Sequence, residues 1–167
     1  PEFTKTGGRK QYLATAASVA DNSRCVSSGP RIGQESRLDV RTVDASAAKE
    51  LNRLFCQHHV LVFPQQQLTP DEQIAFAEHW GELIPFPYGS LPGYPNIIAL
   101  QNRGKARDVN QHWHSDMTYD PTPPKLTMLY ALQAPAIGGE TAFANQILAY
   151  QELSSGMKKL VDSLVAK

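Results

Sequence analysis

The stretch Asn110-Gln111-His112-Trp113-His114-Ser115-Asp116 places two imidazoles and a carboxylate within five residues. His114 and Asp116 stand two apart. On a strand, alternate side chains leave the same face with Cα atoms about 7 Å apart. An imidazole nitrogen and a carboxylate oxygen so placed converge on one cation at bonds of about 2.1 Å. They would be two of the three ligands of a 2-His-1-carboxylate facial triad, which keeps positions open on Fe(II) for substrate and O₂. The same residues also suit a surface loop, and H-x-D by itself does not choose between the two.

Around this segment, composition narrows the classes. The 167 residues amount to about one domain. Sixteen Lys and Arg balance sixteen Asp and Glu, so no global field recruits nucleic acid or anionic lipid. With 41% hydrophobic and 19% charged residues, neither disorder nor a coiled coil is expected. No apolar run reaches the roughly 20 residues that cross a bilayer, and the opening PEFTKTGGRKQ lacks the apolar core of a secretory signal. Cys25 and Cys56 alone do not make a disulfide scaffold. A cytoplasmic enzyme or binding domain is expected, with a small-molecule partner and neither nucleic acid nor membrane.

Residues 1–36 carry no sustained periodicity and read as an irregular arm with room for one short strand. From Asp44 onward, Ala47, Ala48, Leu51, Leu54 and Phe55 recur at helical spacing. Val60-Leu61-Val62-Phe63, closed by Pro64, reads as a buried strand. Three signals then agree on a helix start: Thr69 as cap, Pro70 at the first helical position, and Glu72 completing a capping box. That helix carries Ile74, Phe76, Ala77 and Trp80 and stops at Gly81. Residues 84–95, with four prolines and two glycines, read as a loop. Strands are expected over 97–100 and 126–131, a polar loop over 101–111, and a helix over 145–153 capped by Asn145. Met157, Leu160, Val161 and Leu164 form a last apolar stripe that calls for a partner surface. The elements lack regular βαβ alternation and there is no G-x-G-x-x-G, which argues against a doubly wound nucleotide-binding fold. Mixed α and β is what the residues themselves support.

Five motifs in order carry a resemblance: His59-Val60-Leu61-Val62-Phe63, Leu68-Thr69-Pro70-Asp71-Glu72-Gln73, Trp80-Gly81-Glu82-Leu83, Trp113-His114-Ser115-Asp116 and Gly138-Gly139-Glu140-Thr141, followed by Tyr150-Gln151-Glu152-Leu153-Ser154. Together they resemble the taurine/2,4-D dioxygenase family of Fe(II)- and 2-oxoglutarate-dependent oxygenases, over about residues 38–165. The resemblance implies an α+β fold, a double-stranded β-helix (jelly roll) with flanking helices, of which this chain would supply an incomplete N-terminal part. Residues 37–167 would then be the N-terminal part of one dioxygenase domain. It implies His114 and Asp116 as iron ligands, Thr141 as a hydroxyl bonded to the distal carboxylate of 2-oxoglutarate, and Asn110 and Met117 on the substrate side. Fe(II), 2-oxoglutarate and O₂ follow as cofactor and cosubstrates. The expected reaction hydroxylates a small organic acid, either a taurine-like sulfonate or an aryloxyalkanoate-like carboxylate.

The sequence also departs from the family. All five histidines (His58, His59, His79, His112 and His114) precede Asp116, and the last arginine is Arg107. The family's distal histidine ligand and its 2-oxoglutarate-binding arginine therefore have no counterpart, which leads to the expectation of an N-terminal portion that is inactive alone and self-associates through its last helix. His112 as a replacement ligand would lie about 13–14 Å from Asp116 at Cα on a regular strand, too far without a bend. Where taurine enzymes place a histidine, Phe86 stands within Ile84-Pro85-Phe86-Pro87, favouring an apolar or aromatic carboxylate, though it also suits a core position. Two other readings stay open: an inactive fragment serving as a binding module, and a zinc hydrolase of the H-x-H-x-D type.

Overall fold

The structure is a computed structural model and describes residues 11–18, 33–86, 89–101, 112–133 and 141–165. The fold is α+β. The chain divides into two compact units, one from the described residues of 1–20 and 69–141, the other from those of 21–68 and 142–167.

The first unit is built on an antiparallel five-stranded sheet. Its central strand is β1 (Gln11–Ser18), which lies inside the stretch expected to be an irregular arm. β1 pairs with β6 (Tyr94–Gln101) from Gln11↔Gln101 to Thr15↔Ile97, with β7 (Leu126–Gln133) from Gln11↔Gln133 to Ala17↔Leu126, and at its end with β4 (Glu82–Leu83). The short β5 (Ser90–Leu91) pairs with β6. Residues 84–95, expected as plain loop, therefore contain β5 and the first residues of β6. The prolines interrupt pairing, yet the Phe86 amide donates to the Pro95 carbonyl at 2.8 Å.

Helix α2 (Pro70–Ala77) packs on β1 and β6. Its start is the expected capping box: the Glu72 amide donates to Thr69 Oγ1 at 3.2 Å, and the Thr69 amide donates to Glu72 Oε2 at 2.7 Å. Phe76, Ala77, Trp80 and Ile97 are buried around the fully enclosed Gln73. The Phe76 and Trp80 rings meet edge to face at 4.9 Å. A 3₁₀ turn over Glu78–Trp80 ends at Gly81, whose φ of 129° lies where an L side chain is disfavoured.

In the second unit, α1 (Ala45–His58) is capped by Asp44, whose carboxylate accepts from the Ala47 amide at 2.8 Å. Ala48 and Leu51 of its stripe are buried beside Val40. The apolar run at 60–63 shortens to a two-residue strand, β3 (Leu61–Val62), parallel to β2 (Gln34–Glu35). Gln66 ties this layer together: its Oε1 accepts from the Val40 amide at 3.0 Å and its Nε2 donates to the Leu38 and Pro64 carbonyls. The Arg41 guanidinium, 2.7 Å from Asp39, holds that carboxyl below its usual range. Cys56 is disulfide-bonded, a pairing that the count of two cysteines did not suggest. The helix expected over 145–153 is α3 (Gln146–Gln151), capped by Asn145 as expected, and the last apolar stripe begins on α4 (Ser155–Val161). Tyr150 Oη donates to Asp162 at 2.8 Å, and that bond with burial raises the phenol's pKa. Met157, Leu160 and Leu164 of the expected stripe are exposed. Among the described residues, no helix is long and apolar enough to cross a membrane.

Candidate metal centre

The segment that carries His114 and Asp116 is not a strand. Residues 112–115 run irregularly and 116–119 form a turn, so strand alternation does not bring the two side chains together. Met117 adopts φ 50°, in the left-handed region that L side chains rarely take, and the Asp120 amide donates to the Met117 carbonyl at 3.0 Å. Asp120 Oδ1 then accepts from the Thr122 amide at 2.8 Å and its hydroxyl at 3.0 Å, an Asx turn. Pro121, Pro123 and Pro124 lead the chain out of the turn, and it enters β7.

Ahead of this turn, His114 Nε2 lies 3.3 Å from Asp116 Oδ1. His114 Nδ1 lies 2.8 Å from the His112 carbonyl. A carbonyl only accepts, so Nδ1 carries a hydrogen, and whenever the ring is neutral its lone pair is on Nε2. A ring nitrogen bonded to a backbone carbonyl, with the other turned outward, is how protein imidazoles are held for metal binding. Asp116 is anchored too: its Oδ2 accepts from Thr127 Oγ1 of β7 at 2.9 Å. The ring's second nitrogen and the free carboxylate oxygen thus stand side by side. Two neighbouring ligands of a single ion with bonds of about 2.1 Å stand about 3 Å apart, so the separation and donor types fit a divalent cation. Both side chains are about half exposed, 46% and 48%, and open to an arriving ion.

The other expected site residues are placed as follows. Met117 is half-buried directly after the carboxylate, and Phe86 is half-buried between β4 and β5. Thr141 is exposed, and no hydrogen bond joins it to the pair among the described residues. Asn110, like Gly138, Gly139 and Glu140 of the G-G-x-T motif, lies outside the described residues. His112 contributes its carbonyl. Among the described residues no group of three His, Cys, Asp or Glu side chains is placed to hold one metal ion, so His112 does not complete a ligand set here, nor the H-x-H-x-D site of a zinc hydrolase. The residue that sequence reasoning missed is Thr127. Its only signal was a threonine at the start of an apolar strand, which carries no hint of a partner eleven residues back.

One imidazole and one carboxylate thus stand side by side, each held by a further hydrogen bond and accessible from outside. The family model described as "Taurine catabolism dioxygenase TauD, TfdA family" matches residues 25–167, and the chain belongs to this family. Among similar proteins, an (S)-phenoxypropionate/alpha-ketoglutarate-dioxygenase of Sphingobium herbicidovorans is 31% identical over 131 residues, 75% of this chain and 45% of that protein. An alpha-ketoglutarate-dependent 2,4-dichlorophenoxyacetate dioxygenase of Cupriavidus pinatubonensis is 30% identical over 150 residues, 78% of this chain and 52% of that protein. An alpha-ketoglutarate-dependent sulfate ester dioxygenase of Pseudomonas putida is 33% identical over 144 residues, 81% of this chain and 46% of that protein. The chain spans about half the length of the curated relatives it matches. No solved structure matches.

Proposed function

We propose that the chain serves an Fe(II)- and 2-oxoglutarate-dependent dioxygenase that hydroxylates a small organic acid in the cytoplasm. The observation that carries this reading is the pairing of His114 Nε2 with Asp116 Oδ1 at 3.3 Å; family membership supplies its context. His114 and Asp116 would hold the iron, with the His112 carbonyl keeping the imidazole in its Nδ1–H form and Thr127 anchoring the carboxylate. Bound Fe(II) supplies O₂ activation, coupling decarboxylation of 2-oxoglutarate to hydroxylation. Thr141 would donate its hydroxyl to the distal carboxylate of 2-oxoglutarate. Asn110, Met117 and Phe86 would line the substrate side. The family implies a jelly roll, to which the sheet β1, β4, β5, β6 and β7 would contribute. Residues 117–167 contain no histidine and no arginine, so a third ligand and a fork-shaped cation for 2-oxoglutarate would not come from them.

Phe86 favours an aryloxyalkanoate-like carboxylate over a taurine-like sulfonate, since an aromatic ring stands where a sulfonate would need a hydrogen-bond donor. Two of the similar proteins carry phenoxypropionate and dichlorophenoxyacetate in their names. The test is succinate formation by the native protein with Fe(II), 2-oxoglutarate, and either a phenoxyalkanoate or taurine. Succinate coupled to hydroxylation of the phenoxyalkanoate is expected; no coupling with any small organic acid overturns the reading. Within that assay, Thr141→Val removes a bond worth about 1–3 kcal/mol. It should raise the 2-oxoglutarate KM roughly 5- to 150-fold while leaving iron stoichiometry unchanged; an unaltered KM makes Thr141 a bystander.

A further inference from the structure

We infer that Thr127 is a positioning residue that makes Asp116 a one-oxygen ligand, by holding Oδ2 so that only Oδ1 is presented beside His114 Nε2. The inference rests on the reading of His114 and Asp116 as metal ligands.

An ionised carboxylate has two equivalent oxygens, both acceptors, and free rotation about its last bond lets either or both meet a cation. Here the two are made different. Oδ2 accepts from Thr127 Oγ1 at 2.9 Å, while Oδ1 lies 3.3 Å from His114 Nε2. The donor stands on firmer ground than the acceptor. Asp116 belongs to the turn at 116–119, whereas Thr127 is the second residue of β7, in register with Ala16 of β1. Threonine is branched at Cβ and stiff about χ1, so the strand fixes where its hydroxyl points. Thr127 also lies on the exposed face of β7, with Leu129 and Ala131, while Leu126, Met128 and Tyr130 of the other face are half-buried. The hydroxyl is therefore not needed to satisfy a buried group of the sheet. With Oδ2 engaged, a cation takes one position from Asp116 rather than two, which keeps a coordination position free for a bidentate cosubstrate.

The test is titration of the metal-free chain with Co(II) alone, followed by its visible d–d absorption, in wild type, Thr127→Val, Thr127→Ala, Thr127→Ser and Asp116→Asn. Removing a hydrogen-bond partner of a metal ligand typically weakens metal affinity 10- to 100-fold. Thr127→Val and Thr127→Ala should therefore raise the Co(II) Kd by about that factor and shift the absorption band as the carboxylate turns to bind through both oxygens. Thr127→Ser, which keeps the hydroxyl, should restore both. Should the valine variant not fold, the alanine and serine variants decide the matter between them. Wild-type Kd and band in both hydroxyl-free variants overturn the role of Thr127. Equal Co(II) binding by wild type and Asp116→Asn overturns the ligand assignment itself, and the inference with it.

Discussion

Residues 69–80 and residues 112–122 belong to the same unit, yet they hold their shapes by different means. The first segment is specified by near neighbours: a capping box closed within four residues, proline at the first helical position, and a face that buries Gln73, Phe76, Ala77 and Trp80. The second has Met117 in a left-handed conformation and leaves His114, Ser115, Asp116 and Tyr119 exposed. Its functional geometry depends on a bond from Asp116 to a strand eleven residues further on. Propensity and capping build a scaffold from local sequence, whereas a ligand site is assembled by the return of the chain onto that scaffold. Folding energy should therefore reside in the first segment and metal affinity in the second.

The largest break in that division comes from the ligands. His114→Ala should abolish metal binding, yet change the unfolding free energy by no more than about 0.5 kcal/mol, as for an ordinary surface substitution; equilibrium dialysis and urea unfolding read the two. A folding loss as large as the binding loss would mean that the loop is structural. Next comes Trp80→Ala, which empties the buried end of the first segment and takes from Phe76 its edge-to-face partner. About 3–5 kcal/mol of stability should go, seen as a lower urea midpoint. The smallest effect sharpens the comparison: Thr69→Ala deletes the cap oxygen that receives the Glu72 amide and should cost about 1 kcal/mol, with Co(II) affinity unaltered.

The same contrast explains what the sequence made legible. α1 and α2 were readable because Asp44 and Thr69 cap through their own side chains and the apolar stripes repeat within each helix. β6 and β7 were readable in outline from short apolar runs. β1 was not, since Gln-Tyr-Leu-Ala-Thr-Ala-Ala-Ser becomes the sheet's centre only through pairing with strands about sixty or more residues away, and strand preference depends on that context. Residues 84–95 misled because four prolines announce a loop, while β5 and β6 need only the amides between them. At the site, the identities of His114 and Asp116 were legible and their geometry was not. A strand was expected, but the pair stands on an irregular segment that runs into a turn, and Thr127 has no local signature.

The central claim is that His114 and Asp116 share one divalent cation, and Mn(II) broadening of the imidazole nitrogen resonances tests it most directly. Substoichiometric Mn(II) added to the ¹⁵N-labelled chain should broaden His114 Nε2 before the rings of His58, His59 and His79, with Asp116→Asn removing the effect. Equal broadening of all five histidines, or loss of the His114 signal that persists in Asp116→Asn, would contradict it.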